Sequence, residues 1–109
     1  MDRITLFQFQ TSEISVTIEA YFKDQKLIIE GYDIGKSVEK WWGDSDYEYS
    51  TTISEEEVKK LYLLMVVQED DKEGLLKAIA AEYNDNSCYS AFRQFLDENE
   101  IKYDSFSWT

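Results

Sequence analysis

The chain has 109 residues, 43% of them hydrophobic and 16% aromatic, which is enough apolar material to bury the core of one domain spanning 1–109. It carries 23 acidic and 11 basic side chains, a formal net charge of -12, and no histidine. That balance excludes nucleic acid and anionic membrane surfaces as ligands, because both require clustered Lys and Arg, and the missing imidazole excludes Ser-His and Cys-His nucleophile pairs and His-ligated metals.

Taken in chain order, Arg3 to Gln10 alternates loosely, with Ile4 and Leu6 on one phase and Phe7 and Phe9 on the other. Such a phase change predicts a strand with a bulge, or a strand covered on both faces. From Ile14 to Phe22 the alternation is regular: Ile14, Val16, Ile18, Ala20 and Phe22 against Ser15, Thr17, Glu19 and Tyr21. A period of two predicts a strand packed on one face. Lys23 to Lys26 is a polar turn and Leu27 to Tyr32 the returning strand of a hairpin. Tyr32-Asp33-Ile34-Gly35 reads as a strand end and a tight turn, with Gly35 supplying a positive φ.

Gly31 to Ser54 holds three of the four glycines and two of the three tryptophans. Within it, Lys36 to Trp42 reads as one helical turn or an irregular connection, and Gly43-Asp44-Ser45-Asp46 as turn chemistry. Asp46 to Ile53 alternates Tyr47, Tyr49, Thr51 and Ile53 against Glu48, Ser50 and Thr52, the pattern of an aromatic and β-branched strand.

Ser54-Glu55-Glu56-Glu57 is a capping box: the Ser54 hydroxyl accepts from the Glu57 amide and the Glu57 carboxylate reaches back to the Ser54 amide. The helix it opens is predicted to run to Val67 with Val58, Leu61, Tyr62 and Met65 inward. Leu63, Leu64, Val66 and Val67 widen that stripe, so the helix end is expected to be well buried or to join an oligomer contact, which leaves a homodimer open. A second helix is predicted over Lys72 to Asn84 and a third, capped by Ser87, over Cys88 to Asn99. Ile101 to Trp108 alternates again and predicts a last strand, at a sheet edge or beside the first strand.

Strands, then helices, then a strand predict an α+β fold: an antiparallel sheet of about four to five strands with about three helices packed on one face. The lone Cys88 falls on the apolar stripe of the third helix and reads as a small buried group rather than a nucleophile. One cysteine, no basic and apolar leader at the start, and an apolar run (Leu61 to Val67) too short to span a bilayer predict a cytoplasmic location.

Two concentrations of side chains carry the functional reading. Asp33, Asp44, Asp46 and Glu48 are oxygen ligands of the kind that hold a hard cation, but the glycine and distal glutamate of a calcium loop are missing. A pair of these acids facing one cleft would also suit acid-base work on a glycosidic bond. Trp41, Trp42, Tyr47 and Tyr49 either fill the gap between sheet and helices or anchor a partner, and two adjacent tryptophans cannot both face inward on a regular strand. The reading these residues favour is a non-enzymatic acidic domain that binds a basic protein through Trp41, Trp42, Asp44, Asp46 and Glu48, with no catalytic residue, metal or cofactor. The alternative is a small-ligand or divalent-cation domain built on the carboxylates.

The runs EGYDIG (Glu30 to Gly35) and WWGDSDYEYSTTIS (Trp41 to Ser54) resemble a family of small bacterial proteins. Its motif is G-x-D-L-G followed by W-G-x-x-x-Y-E-Y/W, a threonine-rich strand into a helix, and a last strand with an aromatic pair like Phe106 and Trp108. The likeness covers Leu27 to about Leu64, with Ile34 where leucine is usual. The family has no assigned activity, so the resemblance implies a compact bacterial cytoplasmic domain and carries over no catalytic residue. In size and charge the chain is similar to toxin-neutralising immunity proteins.

Overall fold

The computed structural model describes residues 3–35 and 46–108, the side chains of Asp46 and Trp108 excepted. The helical turn predicted at Lys36 to Trp42 and most of the turn at Gly43 to Asp46 lie outside the described residues. Five strands, β1 (Arg3–Gln10), β2 (Ile14–Lys23), β3 (Lys26–Gly35), β4 (Asp46–Ile53) and β5 (Asp104–Trp108), form one antiparallel sheet in the order β1-β2-β3-β4-β5. Helices α1 (Glu55–Leu64), α2 (Lys72–Glu82) and α3 (Cys88–Glu98) lie between β4 and β5 in the chain. The fold is α+β. β5 closes the sheet beside β4, at the edge opposite β1.

The register explains the two phases of the first strand. Ile4 pairs with Ala20, the pairing shifts between Thr5 and Phe7, and Phe7 then pairs with Ile18 and Phe9 with Val16. The bulge gives both apolar sets to the same face, with Leu6 buried at the shift. On that face Phe22 pairs with Leu27 and Leu27 with Ile53; the next row is Ala20, Ile29 and Thr51, and the next Ile18, Gly31 and Tyr49. Side chains from these rows and from all three helices form one core: Leu27, Ile29, Ile53, Leu61, Leu75, Ile79, Phe92 and Leu96 are fully buried. Each contributes roughly 1.5–3 kcal/mol of transfer free energy. Cys88 belongs to this core, and burial pushes its thiol pKa up.

Element boundaries depart from the periodicity where backbone geometry intervenes. The β2–β3 hairpin turns at Asp24 and Gln25, both at positive φ (52° and 68°), the two-residue turn whose twist matches the strands. β3 continues to Gly35, which pairs with Ile14 at φ 156°, where a Cβ would run into the Glu13 carbonyl. α1 stops at Leu64 rather than Val67. The Val67 amide donates to the Tyr62 carbonyl and the Val66 amide to the Leu63 carbonyl, with Val66 at φ 55°. This is a Schellman stop with valine where glycine is usual. The expectation of a well-buried helix end is corrected by exposure: Leu63 is 82% and Val66 92% accessible.

α3 ends the same way. Glu100, at φ 56°, donates to the Asp97 carbonyl and Ile101 to the Leu96 carbonyl. Ile101 is buried at that stop, so the last strand begins at Asp104 and not at Ile101. Ser87 makes no side-chain cap to α3; its hydroxyl and amide both donate to Asp85 Oδ1. Half of the capping box forms. The Glu57 amide donates to Ser54 Oγ at 3.5 Å, but the Glu57 carboxylate accepts from the Lys102 amide at 2.7 Å and from Lys60 at 3.1 Å. Those bonds, the Lys102 amide first, hold the Glu57 pKa below its usual value. They also tie the start of α1 to the segment after α3.

Candidate functional site

The helices cover the sheet unevenly. The rows nearest the Asp24–Gln25 turn are sealed, whereas the row Phe9, Val16, Asp33 and Tyr47 is only partly covered, and Phe9 is 48% exposed. A hollow of about 450 Å³ opens there, lined by Asp33, Tyr47 and Tyr49 from the sheet, Ser105 and Ser107 from β5, and Tyr89, Ser90 and Arg93 from α3. An apolar hollow of about 380 Å³, lined by Phe7, Phe9, Ile14 and Val16, adjoins it, and Asn86 borders both.

Tyr49 organises the larger hollow. It stands opposite Gly31 on β3, and its ring occupies the space where a Gly31 side chain would start. From there its hydroxyl donates to Asp33 Oδ1 at 3.2 Å. The Tyr89 ring meets it edge-on at 4.6 Å between centres, and Tyr47 lies 5.3 Å away at an angle of 43°. The Tyr89 hydroxyl is 2.7 Å from the fully buried Thr51 hydroxyl. Arg93 holds its guanidinium 5.8 Å from the Tyr89 ring centre and 5.5 Å from that of Tyr103, while its buried Nε has no hydrogen-bond partner among the described residues.

The electrostatics follow from partial burial. Loss of water raises the Asp33 pKa, and the Tyr49 hydrogen bond only partly offsets it. Tyr49 is raised strongly, by burial first and then by the charge and hydrogen bond of Asp33; Tyr89 is raised by burial. Neither phenol ionises near neutrality. Among the described residues the hollow therefore presents the Asp33 carboxylate, the Tyr47, Tyr49 and Tyr89 rings, and the Arg93 guanidinium on its α3 side.

The residues picked from sequence fall elsewhere. Trp41, Trp42 and Asp44 lie outside the described residues, as does the side chain of Asp46, whose backbone pairs with Ile34. Glu48 is exposed and pairs with Tyr32 and Trp108 on the sheet face away from the helices. Asp33 is on the helix side, so Asp33 and Glu48 do not converge. Among the described residues no group of three or more Cys, Asp or Glu side chains is placed to hold a metal ion.

The helix-free face carries its own pattern. Glu19 stands directly opposite Glu30, an arrangement of like charges that costs free energy in a sheet. Each is partly relieved by a neighbour: Arg3 donates to Glu19 at 2.6 Å and Tyr21 to Glu30 at 2.9 Å. In the register this face continues through Tyr32 and Glu48 and through Ser50 to Phe106, with Asp104 opposite Thr52. Ile34 (37%) and Phe106 (61%) are exposed apolar side chains among these acids. Sequence reading missed Glu19 and Glu30 because their opposition exists only once the hairpin register is set; the equal-length arms around Asp24–Gln25 were the available signal. None of the described helices is long and apolar enough to cross a membrane. Comparison with protein-family models, with curated proteins and with solved structures returns no match.

Proposed function

We propose that this protein is a non-enzymatic acidic recognition domain of the bacterial cytoplasm, immunity-like in that it engages a basic protein such as a toxin across the helix-free face of its sheet. The observation that carries this reading is the Glu19–Glu30 opposition on the sheet face that carries none of the described helices. Like charges directly opposite each other cost free energy in a sheet, and a basic partner would add to the partial relief that Arg3 gives Glu19 and Tyr21 gives Glu30. Glu48 and Asp104 extend the negative field, and Phe106 on the edge strand β5 and Ile34 near the end of β3 give a partner exposed apolar contacts. The chain's net charge of -12 steers a basic partner from a distance. Trp41, Trp42, Asp44 and Asp46 are retained in the proposed contact set, flanking Glu48 in the chain.

Affinity capture from the source cell with the wild type and with a Glu30→Gln/Glu48→Lys double variant tests it. The reading predicts a basic protein that the wild type retains at low salt, releases at high salt, and that the double variant fails to retain. Equal recovery by both baits, insensitive to salt, would contradict it. Glu30→Gln also reports on the cause. It keeps an acceptor for Tyr21 while removing the repulsion, so the free protein should gain roughly 0.2–1 kcal/mol as partner affinity falls.

A further inference from the structure

We propose that the hollow framed by Asp33 on β3, Tyr47 and Tyr49 on β4 and Tyr89 on α3 binds an organic ammonium group, with its charge beside Asp33 and its alkyl substituents against the tyrosine rings. The volume of about 450 Å³ suits a small ligand. Among the described residues Asp33 is the one carboxylate lining it. Its Oδ1 accepts from Tyr49, and among the described residues no Lys or Arg stands within ion-pair distance of it. A carboxylate partly withdrawn from water, with no cation beside it among the described residues, favours an incoming cation.

The tyrosines supply the second element. A ring face attracts a cation, and the Tyr47, Tyr49 and Tyr89 planes are inclined to one another by 43° and 75°, so they offer π surface in several directions. That suits a rounded, weakly hydrated ammonium head better than a flat group. Arg93 fixes the direction of binding. Its guanidinium, near Tyr89 and Tyr103, makes the α3 end positive, so a ligand cation settles at the Asp33 end. Beyond Asp33 the trough becomes apolar. Val16 pairs with Asp33 and lines the hollow of about 380 Å³ with Phe7, Phe9 and Ile14. The ligand class is thus an ammonium bearing an aliphatic chain. Phe106 of the proposed partner surface also borders this hollow at the β5 edge, but Asp33 and the three tyrosines do not belong to that surface, and the ammonium site does not depend on it.

Three probes of equal chain length test it by NMR titration: hexyltrimethylammonium, hexylammonium and uncharged 1-hexanol. At least one ammonium should bind about tenfold more tightly than the alcohol, with the largest shifts on Tyr47, Tyr49 and Tyr89. The tighter of the two heads tells quaternary from primary recognition. Asp33→Asn should weaken ammonium binding about tenfold and leave the alcohol unchanged, and Glu69→Gln, in the loop before α2, should change neither. Where Asp33→Asn fails to fold, the wild-type Asp33 carboxyl resonance serves instead, and its pKa should fall when the site is filled. Equal affinity for the alcohol, unaltered binding in Asp33→Asn, or an Asp33 pKa indifferent to the ammonium would overturn the proposal.

Discussion

Tyr49 lies over Gly31. The two residues face each other across β3 and β4, and the absent glycine side chain is the space the tyrosine ring fills on its way to Asp33. Glycine inside a strand ordinarily weakens it, and here a cross-strand aromatic covers the gap. Gly31→Ala should therefore destabilise the protein by roughly 1–3 kcal/mol, because the new methyl collides with a ring that is hemmed in by Tyr47 and Tyr89. Urea unfolding of Gly31→Ala, Tyr49→Ala and the double variant checks the cause. The alanine at 31 should cost markedly less when Tyr49 is gone, and strictly additive losses would refute the packing account.

Val66 and Glu100 occupy the left-handed position that ends a helix, at φ 55° and 56°. For a β-branched residue this conformation is strained, and Val66, 92% exposed, has little burial to offset it. Val66→Gly should stabilise the fold by about 1 kcal/mol, a rise of about 4 °C in melting temperature. Glu100→Gly should gain less, since it is not branched. Calorimetry on the two variants measures both, and a fall in melting temperature for Val66→Gly would contradict the assignment of strain.

The Thr51 and Tyr89 hydroxyls partner each other, Thr51 in the core and Tyr89 at the wall of the hollow. Tyr89→Phe leaves the buried Thr51 hydroxyl alone and should cost roughly 1–3 kcal/mol. Adding Thr51→Val removes the orphaned group, so the double variant should recover much of the loss. Denaturant midpoints of the two single variants and the double variant give the coupling.

Two carboxyl groups give opposite pH signatures. The Glu57 pKa is lowered from its ordinary 4.5, chiefly by the Lys102 amide, so its contribution is present above that value and lost as pH falls through the lowered pKa. Glu57→Gln should be less stable than the wild type at neutral pH, with the gap closing in acid. The Asp33 pKa is raised from 3.8 by burial, so its charged form works against folding at neutral pH. Asp33→Asn should be more stable than the wild type at pH 7, and that advantage should shrink as pH falls through the raised pKa toward 3.8. Melting temperatures of the three proteins across acid to neutral pH test both signs.

Much of the architecture is written in local pattern. The Ile14 to Phe22 alternation, the bulge implied by Leu6 and Phe7, and the stripes around Leu61, Ile79 and Phe92 each follow from a side-chain period that burial enforces. Boundaries were less legible, because the period through Ile101 continues where a helix stop has already claimed the residue. The hollow was not legible at all. Asp33 and Tyr49 are 16 residues apart and Thr51 and Tyr89 are 38 apart, and only the register and the return of α3 bring them together. In sequence Glu48 groups with the acids of the preceding turn, whereas the register sets it opposite Tyr32 on the helix-free face.

The central claim is that this helix-free face is the recognition surface. The protein also exposes Leu63 and Val66 at the end of α1, an apolar patch suited to a second copy or to another partner. Methyl and aromatic NMR spectra of the labelled protein, recorded with and without the captured basic partner, separate the two surfaces. The account predicts that Ile34 and Phe106 shift while Leu63 and Val66 stay in place. Perturbation confined to Leu63 and Val66, with Ile34 and Phe106 unmoved, would contradict it.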